Sequence, residues 1–126
     1  MSTPTPDLGW FELCLNVADL AASMDFYQRL GLKLVGGEPE QGWAVLSQGN
    51  LRLALYEGHI ERTLLNFRGR DVFEIAEAWQ ARGLALKAGP EQEADGSASA
   101  ELLDPDGNVI YLNTFPGERA PEGWPF

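Results

Sequence analysis

The chain has 126 residues, of which 44% are hydrophobic and 22% charged, so it fits one domain with a single core. A net charge of −10, with Lys33 and Lys87 as the only lysines, argues against a nucleic-acid partner, because affinity for phosphates comes from clustered Lys and Arg. The start lacks a secretion signal, no apolar run reaches the roughly 18 residues of a membrane span, and Cys14 is the only cysteine, so we expect a cytoplasmic protein without membrane contact.

The first half of the chain reads as one βαβββ unit. Apolar and polar residues alternate over residues 10–17, WFELCLNV, which predicts a half-buried strand. A helix then begins after the N-cap residue Asp19 and ends at Gly31. Its apolar stripe consists of Leu20, Met24 and Tyr27. Three extended segments follow, LKLVG, WAVLSQG and LRLALYE, which are separated by turn-forming residues.

The second half repeats this order. It contains TLLNFRG, a helix in DVFEIAEAWQARG, and the segments LALKAG, SASAELL and NVIYLNTF. Asp19 and Asp71 are 52 positions apart, and so are Gly31 and Gly83. The second helix has the apolar stripe Val72, Ile75, Ala76 and Trp79. We therefore predict two tandem modules in one domain.

The predicted modules cover about residues 10–58 and 63–115 of the domain 1–126. The segment EQEADGSAS around residue 95 predicts a mobile surface loop, because it is acidic and rich in small residues. The tail, residues 116–126, ends in the large apolar groups of Trp124 and Phe126. We expect these groups to dock on the body of the chain, at a cleft mouth or on a partner subunit.

Three motifs link this pattern to a known family. Asp25-Phe26-Tyr27 lies in the first helix, Leu30-Gly31 ends it, and DPDGN at 104–108 precedes the last strand. Together with the tandem modules they resemble the glyoxalase, bleomycin-resistance and extradiol-dioxygenase superfamily, also called the vicinal oxygen chelate fold, over about residues 10 to 115. The resemblance implies an α+β fold in which two βαβββ modules form a curved mixed sheet around a cleft, with the helices outside. It also implies a homodimer.

The resemblance further implies four positions for metal ligands, which in enzymes of the family are His, Glu or Gln. They correspond here to Glu12, Ala54, Leu64 and Tyr111. Leu53 is the alternative to Ala54, but that register would bury Arg52 unpaired. Since catalytic metal sites use about three protein ligands, we expect no metal and no other cofactor. The only histidine, His59, is expected on a surface loop.

The alternation of side chains along the strands predicts a cleft with a mixed lining of aromatic, polar and charged groups, as small-molecule pockets have. The predicted ligand-binding residues are Glu12, Trp43, Arg52, Tyr56, Arg68, Tyr111 and Asn113. Trp43 could equally belong to the core. The first functional hypothesis is a metal-free protein that sequesters a small organic molecule, cationic or aromatic, as the resemblance to bleomycin-resistance proteins implies.

Two other hypotheses stay open. In the first, the chain is a metal-independent enzyme of isomerase or lyase type, in which Glu12 is a general acid or base beside Tyr111. An ion pair of Glu12 with Arg68 or Arg52 would instead make this carboxylate structural. In the second, the chain is a dimerisation or regulatory module without a ligand. Metal-dependent lactoylglutathione chemistry and extradiol ring cleavage lose support in all three cases.

Overall fold

A computed structural model of the protein describes residues 5–121. The described residues form two α-helices, eight β-strands and one short 3-10 helix. In chain order these are β1 (Trp10–Asn16), α1 (Leu20–Leu30), β2 (Lys33–Glu38), the 3-10 helix (Pro39–Gln41), β3 (Trp43–Gln48), β4 (Leu51–Tyr56), β5 (Leu64–Arg68), α2 (Val72–Ala81), β6 (Ala88–Gln92), β7 (Ala98–Leu103) and β8 (Val109–Thr114). The predicted α+β class and the repeated βαβββ order are confirmed. Over residues 5–121, no helix is both long and apolar enough to cross a membrane.

The chain divides into two compact units. The central unit comprises residues 12–65, and the terminal unit comprises the described residues before and after it. The strand order is β2-β3-β4-β1 in the central unit and β5-β8-β7-β6 in the terminal unit. In the central unit β1 runs parallel to β4, while β3 is antiparallel to β2 and to β4. In the terminal unit β7 lies antiparallel between β6 and β8.

Helix α1 covers one face of the central sheet. The Asp19 side chain accepts a hydrogen bond from the Ala22 backbone N–H at 3.1 Å, which satisfies one of the free donors at the helix start. The backbone at Gly31 takes the left-handed conformation and ends the helix. The predicted stripe packs against an apolar core formed by Leu32, Ala44, Leu46, Leu53 and Leu55. The predicted cap, stripe and end of this helix are confirmed.

Helix α2 covers one face of the terminal sheet in the same way. The Asp71 carboxylate accepts from the backbone N–H groups of Phe73 and Glu74 at 3.0 and 3.1 Å. The four residues of the predicted stripe are all at most 6% exposed. They face a core that contains Ala98, Ala100, Leu102 and Leu112. Burial of apolar surface stabilises by about 25 cal/mol per Å², so the burial of this stripe stabilises the packing of the helix on β7 and β8.

The prediction for the start of β6 was wrong. This strand begins at Ala88, whereas LALKAG placed it at Leu84. The Leu84 backbone N–H donates to the Trp79 carbonyl at 3.0 Å, so this residue completes the end of α2 instead of joining the sheet. Sheet pairing starts where the Lys87 N–H donates to the Glu101 carbonyl at 2.7 Å.

The acidic segment around residue 95 is mostly a hairpin, which corrects the expected loop. Strand β6 extends to Gln92, and a short turn closes where the Glu93 N–H donates to the Ser97 carbonyl at 2.8 Å. Hydrogen bonds from Ser97 hold the pKa of the Asp95 carboxyl below its usual range. The composition identifies this segment as polar, but the backbone hydrogen bonds of the hairpin determine its structure. Trp124 and Phe126 lie outside the described residues.

The DPDGN motif is a tight turn that sets the register of β8. The Asp104 Oδ1 accepts from the backbone N–H groups of Asp106 at 2.9 Å and Asn108 at 2.8 Å. The Asn108 side-chain amide donates to Oδ2 at 2.8 Å. The hydrogen bonds from Asn108 are the main reason why the pKa of Asp104 lies below its usual range. The turn brings Leu103 opposite Val109 and so fixes which residues of β8 face α2.

Candidate functional site

The candidate site of the central unit lies on the side of its sheet opposite α1, which we call the Glu12 face. Leu53 and Leu55 pack in the core beneath α1, whereas Ala54 packs with Cys14 and Val45. Because strand side chains alternate, the same face carries every second residue of β1, β3 and β4. These residues are Glu12, Cys14, Trp43, Val45, Arg52, Ala54 and Tyr56. The register that matches Ala54, and not Leu53, to this face is the one the structure has.

A buried ion pair lies at one end of the Glu12 face. The Arg52 Nε donates to the Glu12 Oε2 at 2.5 Å, and the two side chains are 22% and 3% exposed. A carboxylate this deeply buried requires a partner, because desolvation of an unpaired charge is costly. The pairing brings together two of the predicted site residues. Arg52 is one of the two arginines predicted as partners of Glu12.

An aromatic group lies at the other end of the face. Trp43 and Tyr56 are opposite each other in the β3–β4 register, and their rings are stacked with centroids 5.9 Å apart and planes 6° apart. The ring of His59 meets Tyr56 edge-on at 6.2 Å. The His59 Nε2 lies 2.7 Å from the Gln41 carbonyl oxygen, to which it donates. We call Trp43 and Tyr56 the aromatic shelf.

The residues at the four implied metal positions do not fit a divalent metal. Ala54 and Leu64 pack in an apolar cluster with Cys14, and neither side chain carries a donor atom. The Glu12 carboxylate already binds a guanidinium, and Tyr111 lies opposite Glu101 in the β7–β8 ladder of the terminal unit. Among residues 5–121, no group of three or more His, Cys, Asp or Glu side chains is placed to hold a metal ion.

The terminal unit carries the remaining predicted site residues on one face. Ile110 and Leu112 of β8 and Phe67 of β5 pack in the core beneath α2. Alternation therefore directs Tyr111, Asn113 and Arg68 to the opposite side of that sheet.

Arg68 forms a contact there that sequence reasoning missed. Its guanidinium is bound by Glu118, with Nε and Nη2 each 2.7 Å from Oε1. Nothing local in the sequence marks this pair, because its residues are 50 positions apart.

The repeated βαβββ units and the two faces define a glyoxalase-type fold. The model of the Glyoxalase/Bleomycin resistance protein/Dioxygenase superfamily matches residues 8–112. The chain belongs to this superfamily. Comparison with curated proteins finds no significant match.

Solved structures of low sequence identity share the fold. A protein from Legionella pneumophila, described as an NAD-dependent benzaldehyde dehydrogenase, is 22% identical with a TM-score of 0.69, covering 83% of this chain and 98% of that one. A hypothetical protein from Bacillus halodurans C-125 is 19% identical with a TM-score of 0.62, covering 87% and 96%. A superfamily member from Vibrio splendidus 12B01 is 13% identical with a TM-score of 0.61, covering 82% and 97%. These similarities show the fold, and fold alone does not define chemistry.

Proposed function

We propose that the chain is a small-molecule-binding member of its superfamily that works without a divalent metal. The observation that carries the proposal is the contact between the Arg52 Nε and the Glu12 Oε2 at 2.5 Å. The arginine side chain supplies a permanent positive charge to the one carboxylate among the implied ligand positions. Glu12 therefore has its cation from within the chain, and it needs neither a metal nor a cationic ligand to balance its charge.

The aromatic shelf supports an aromatic ligand. Trp43 and Tyr56 are both half-buried, and their stacked, parallel rings present an aromatic surface beside the apolar patch of Cys14, Val45 and Ala54. A flat ligand gains from offset stacking on such a surface in addition to the burial of apolar area. The Arg52 guanidinium, 22% exposed, retains N–H donors for a polar group of the ligand.

The same contact makes binding a better proposal than acid–base catalysis. A general base needs a lone pair that can reach a substrate proton, but Glu12 is 2% exposed and its Oε2 accepts from Arg52. Arg52 holds this carboxylate in a fixed position. The pair is therefore structural, and truncating Arg52 would disturb it. Homodimerisation, a cytoplasmic location and the module boundaries stay predictions.

A ligand screen in the presence of a metal chelator tests this proposal. We expect an aromatic compound to raise the melting temperature in EDTA, since a ligand at 100 times its dissociation constant stabilises by about 2.7 kcal/mol. The shift should disappear in Tyr56→Leu, measured against the melting temperature of that variant. It should persist in Phe26→Leu, a matched control because Phe26 is 57% exposed on α1, on the opposite face.

Three outcomes would overturn the proposal. A shift that requires an added metal would show that the site is not metal-free. An equal affinity in Tyr56→Leu would place the ligand elsewhere. Failure of cationic drugs, thioesters and aromatic diols alike to bind would favour a module without a ligand of its own.

A further inference from the structure

The carboxylate of Glu118 is held by donors at both of its oxygens. Its Oε1 lies 2.7 Å from both Nε and Nη2 of Arg68, and its Oε2 accepts from the Phe115 backbone N–H at 3.0 Å. A guanidinium and a backbone N–H that converge on one carboxylate form the donor set of an anion site.

This donor set is sheltered from solvent. The side chains of Arg68 and Glu118 are 16% and 12% exposed, so their charge-assisted hydrogen bonds are stronger than those of a surface pair. The Phe115 ring lies 5.4 Å from the guanidinium carbon and is itself 45% exposed. The site therefore offers a positive charge, a backbone donor and one aromatic surface.

The Glu118 carboxylate belongs to the tail and not to a strand of the sheet. Glu118 follows the end of β8, in a turn where its N–H donates to the Phe115 carbonyl at 3.2 Å. The other ion pairs described in this unit, Arg70 with Asp7 and Lys87 with Glu101, are far more exposed. The contact of Glu118 with Arg68 thus differs in kind from a surface ion pair.

A second polar group on the same face lacks a partner. The Asn113 Oδ1 is buried and accepts no hydrogen bond within the described residues. The Gly69 N–H donates to the Asn113 carbonyl at 3.3 Å, which places Asn113 beside the end of the strand that carries Arg68. Buried acceptors are normally satisfied, so a donor on a bound molecule would complete this group.

We propose that Arg68 and the Phe115 N–H form a binding site for a small organic carboxylate, in which Glu118 is an internal carboxylate that a ligand displaces. The site lies in the terminal unit and does not rest on the function proposed for the Glu12 face. A group on a short tether competes at an effective concentration in the mM range. A free carboxylate therefore binds the wild-type chain weakly, and removal of the Glu118 carboxylate raises its affinity.

Titration of the full chain with benzoate, followed by calorimetry or NMR, tests this site. We expect Glu118→Gln to bind benzoate at least about tenfold more tightly than the wild type, because the competing carboxylate is gone. The gain should vanish in the double variant Glu118→Gln, Arg68→Met. Benzyl alcohol, which lacks the carboxylate, should bind Glu118→Gln and the wild type alike.

Glu101→Gln is the matched control. It removes the same charge from the same face, but Glu101 pairs with Lys87 and not with Arg68. Its affinity for benzoate should stay within about twofold of the wild type if the gain depends on Arg68 and not on net charge. Equal benzoate affinity in Glu118→Gln and the wild type would overturn the proposal, and so would a gain that survives Arg68→Met. If Glu118→Gln does not fold, Glu118→Ala, which also removes the carboxylate, is held to the same comparison.

Discussion

Replacing Arg52 by Met is expected to destabilise the protein by about 3 kcal/mol, because it removes a guanidinium that pairs with the buried Glu12 carboxylate. Glu12 is 3% exposed at its side chain, so water cannot take over from the guanidinium without a rearrangement of the sheet. Methionine keeps most of the apolar stem, so lost packing contributes little. Urea unfolding of the variant and the wild type measures the difference.

Arg29→Met is the control for this experiment. Arg29 pairs with Asp25 on α1 at 3.0 Å, but the two side chains are 80% and 62% exposed, and such pairs are worth about 0.5 kcal/mol or less. The double variant Glu12→Gln, Arg52→Met should regain stability relative to Arg52→Met, since it removes the buried charge as well. A loss for Arg52→Met as small as that for Arg29→Met would show that the ion pair does not stabilise the Glu12 face.

A second large loss of stability is expected for Gly69→Ala, of about 3–5 kcal/mol. Gly69 has a φ of +93°, and a Cβ there would lie 2.1 Å from the Cζ3 of Trp10 and 2.7 Å from its Cη2. Trp10 is 4% exposed, so the indole cannot move aside without opening the core. The variant therefore combines backbone strain with a clash against a fixed ring.

Gly83→Ala separates these two causes. Gly83 has a φ of +89°, close to that of Gly69, but no atom lies within 4 Å of the position its Cβ would take. It should lose only about 1–2 kcal/mol, the cost of the left-handed conformation. Chemical unfolding of both variants gives the comparison, and equal losses would mean that the contact with Trp10 is unimportant.

Much of the fold could be predicted because its signals are local. The N-caps Asp19 and Asp71 accept from backbone groups two or three positions away, and the apolar stripes repeat within each helix. The alternation along β4 was sufficient to direct Ala54 to the Glu12 face. At Leu84 the extended pattern of the sequence was misleading, because the hydrogen bond of its N–H to the Trp79 carbonyl makes this residue part of the end of α2.

The partners of the charged site residues could not be predicted to the same degree. The alternation of side chains along the strands places Glu12 and Arg52 on one face, but it does not specify the contact between them. Glu12 and Arg52 are 40 positions apart, and Arg68 and Glu118 are 50 apart. Such pairs depend on how strands and tail are placed in space, which no local pattern contains.

Metal analysis tests the central claim, that the Glu12 face binds small molecules without a divalent metal. The untagged full chain is dialysed against Zn²⁺, Ni²⁺ or Mn²⁺, freed of unbound ions by gel filtration and analysed for metal. We expect less than about 0.1 mol of metal per mol of chain, since one carboxylate already paired with a guanidinium does not make a site of three ligands. About one mol of any of these metals per mol of chain, lost in Glu12→Gln, would contradict the claim.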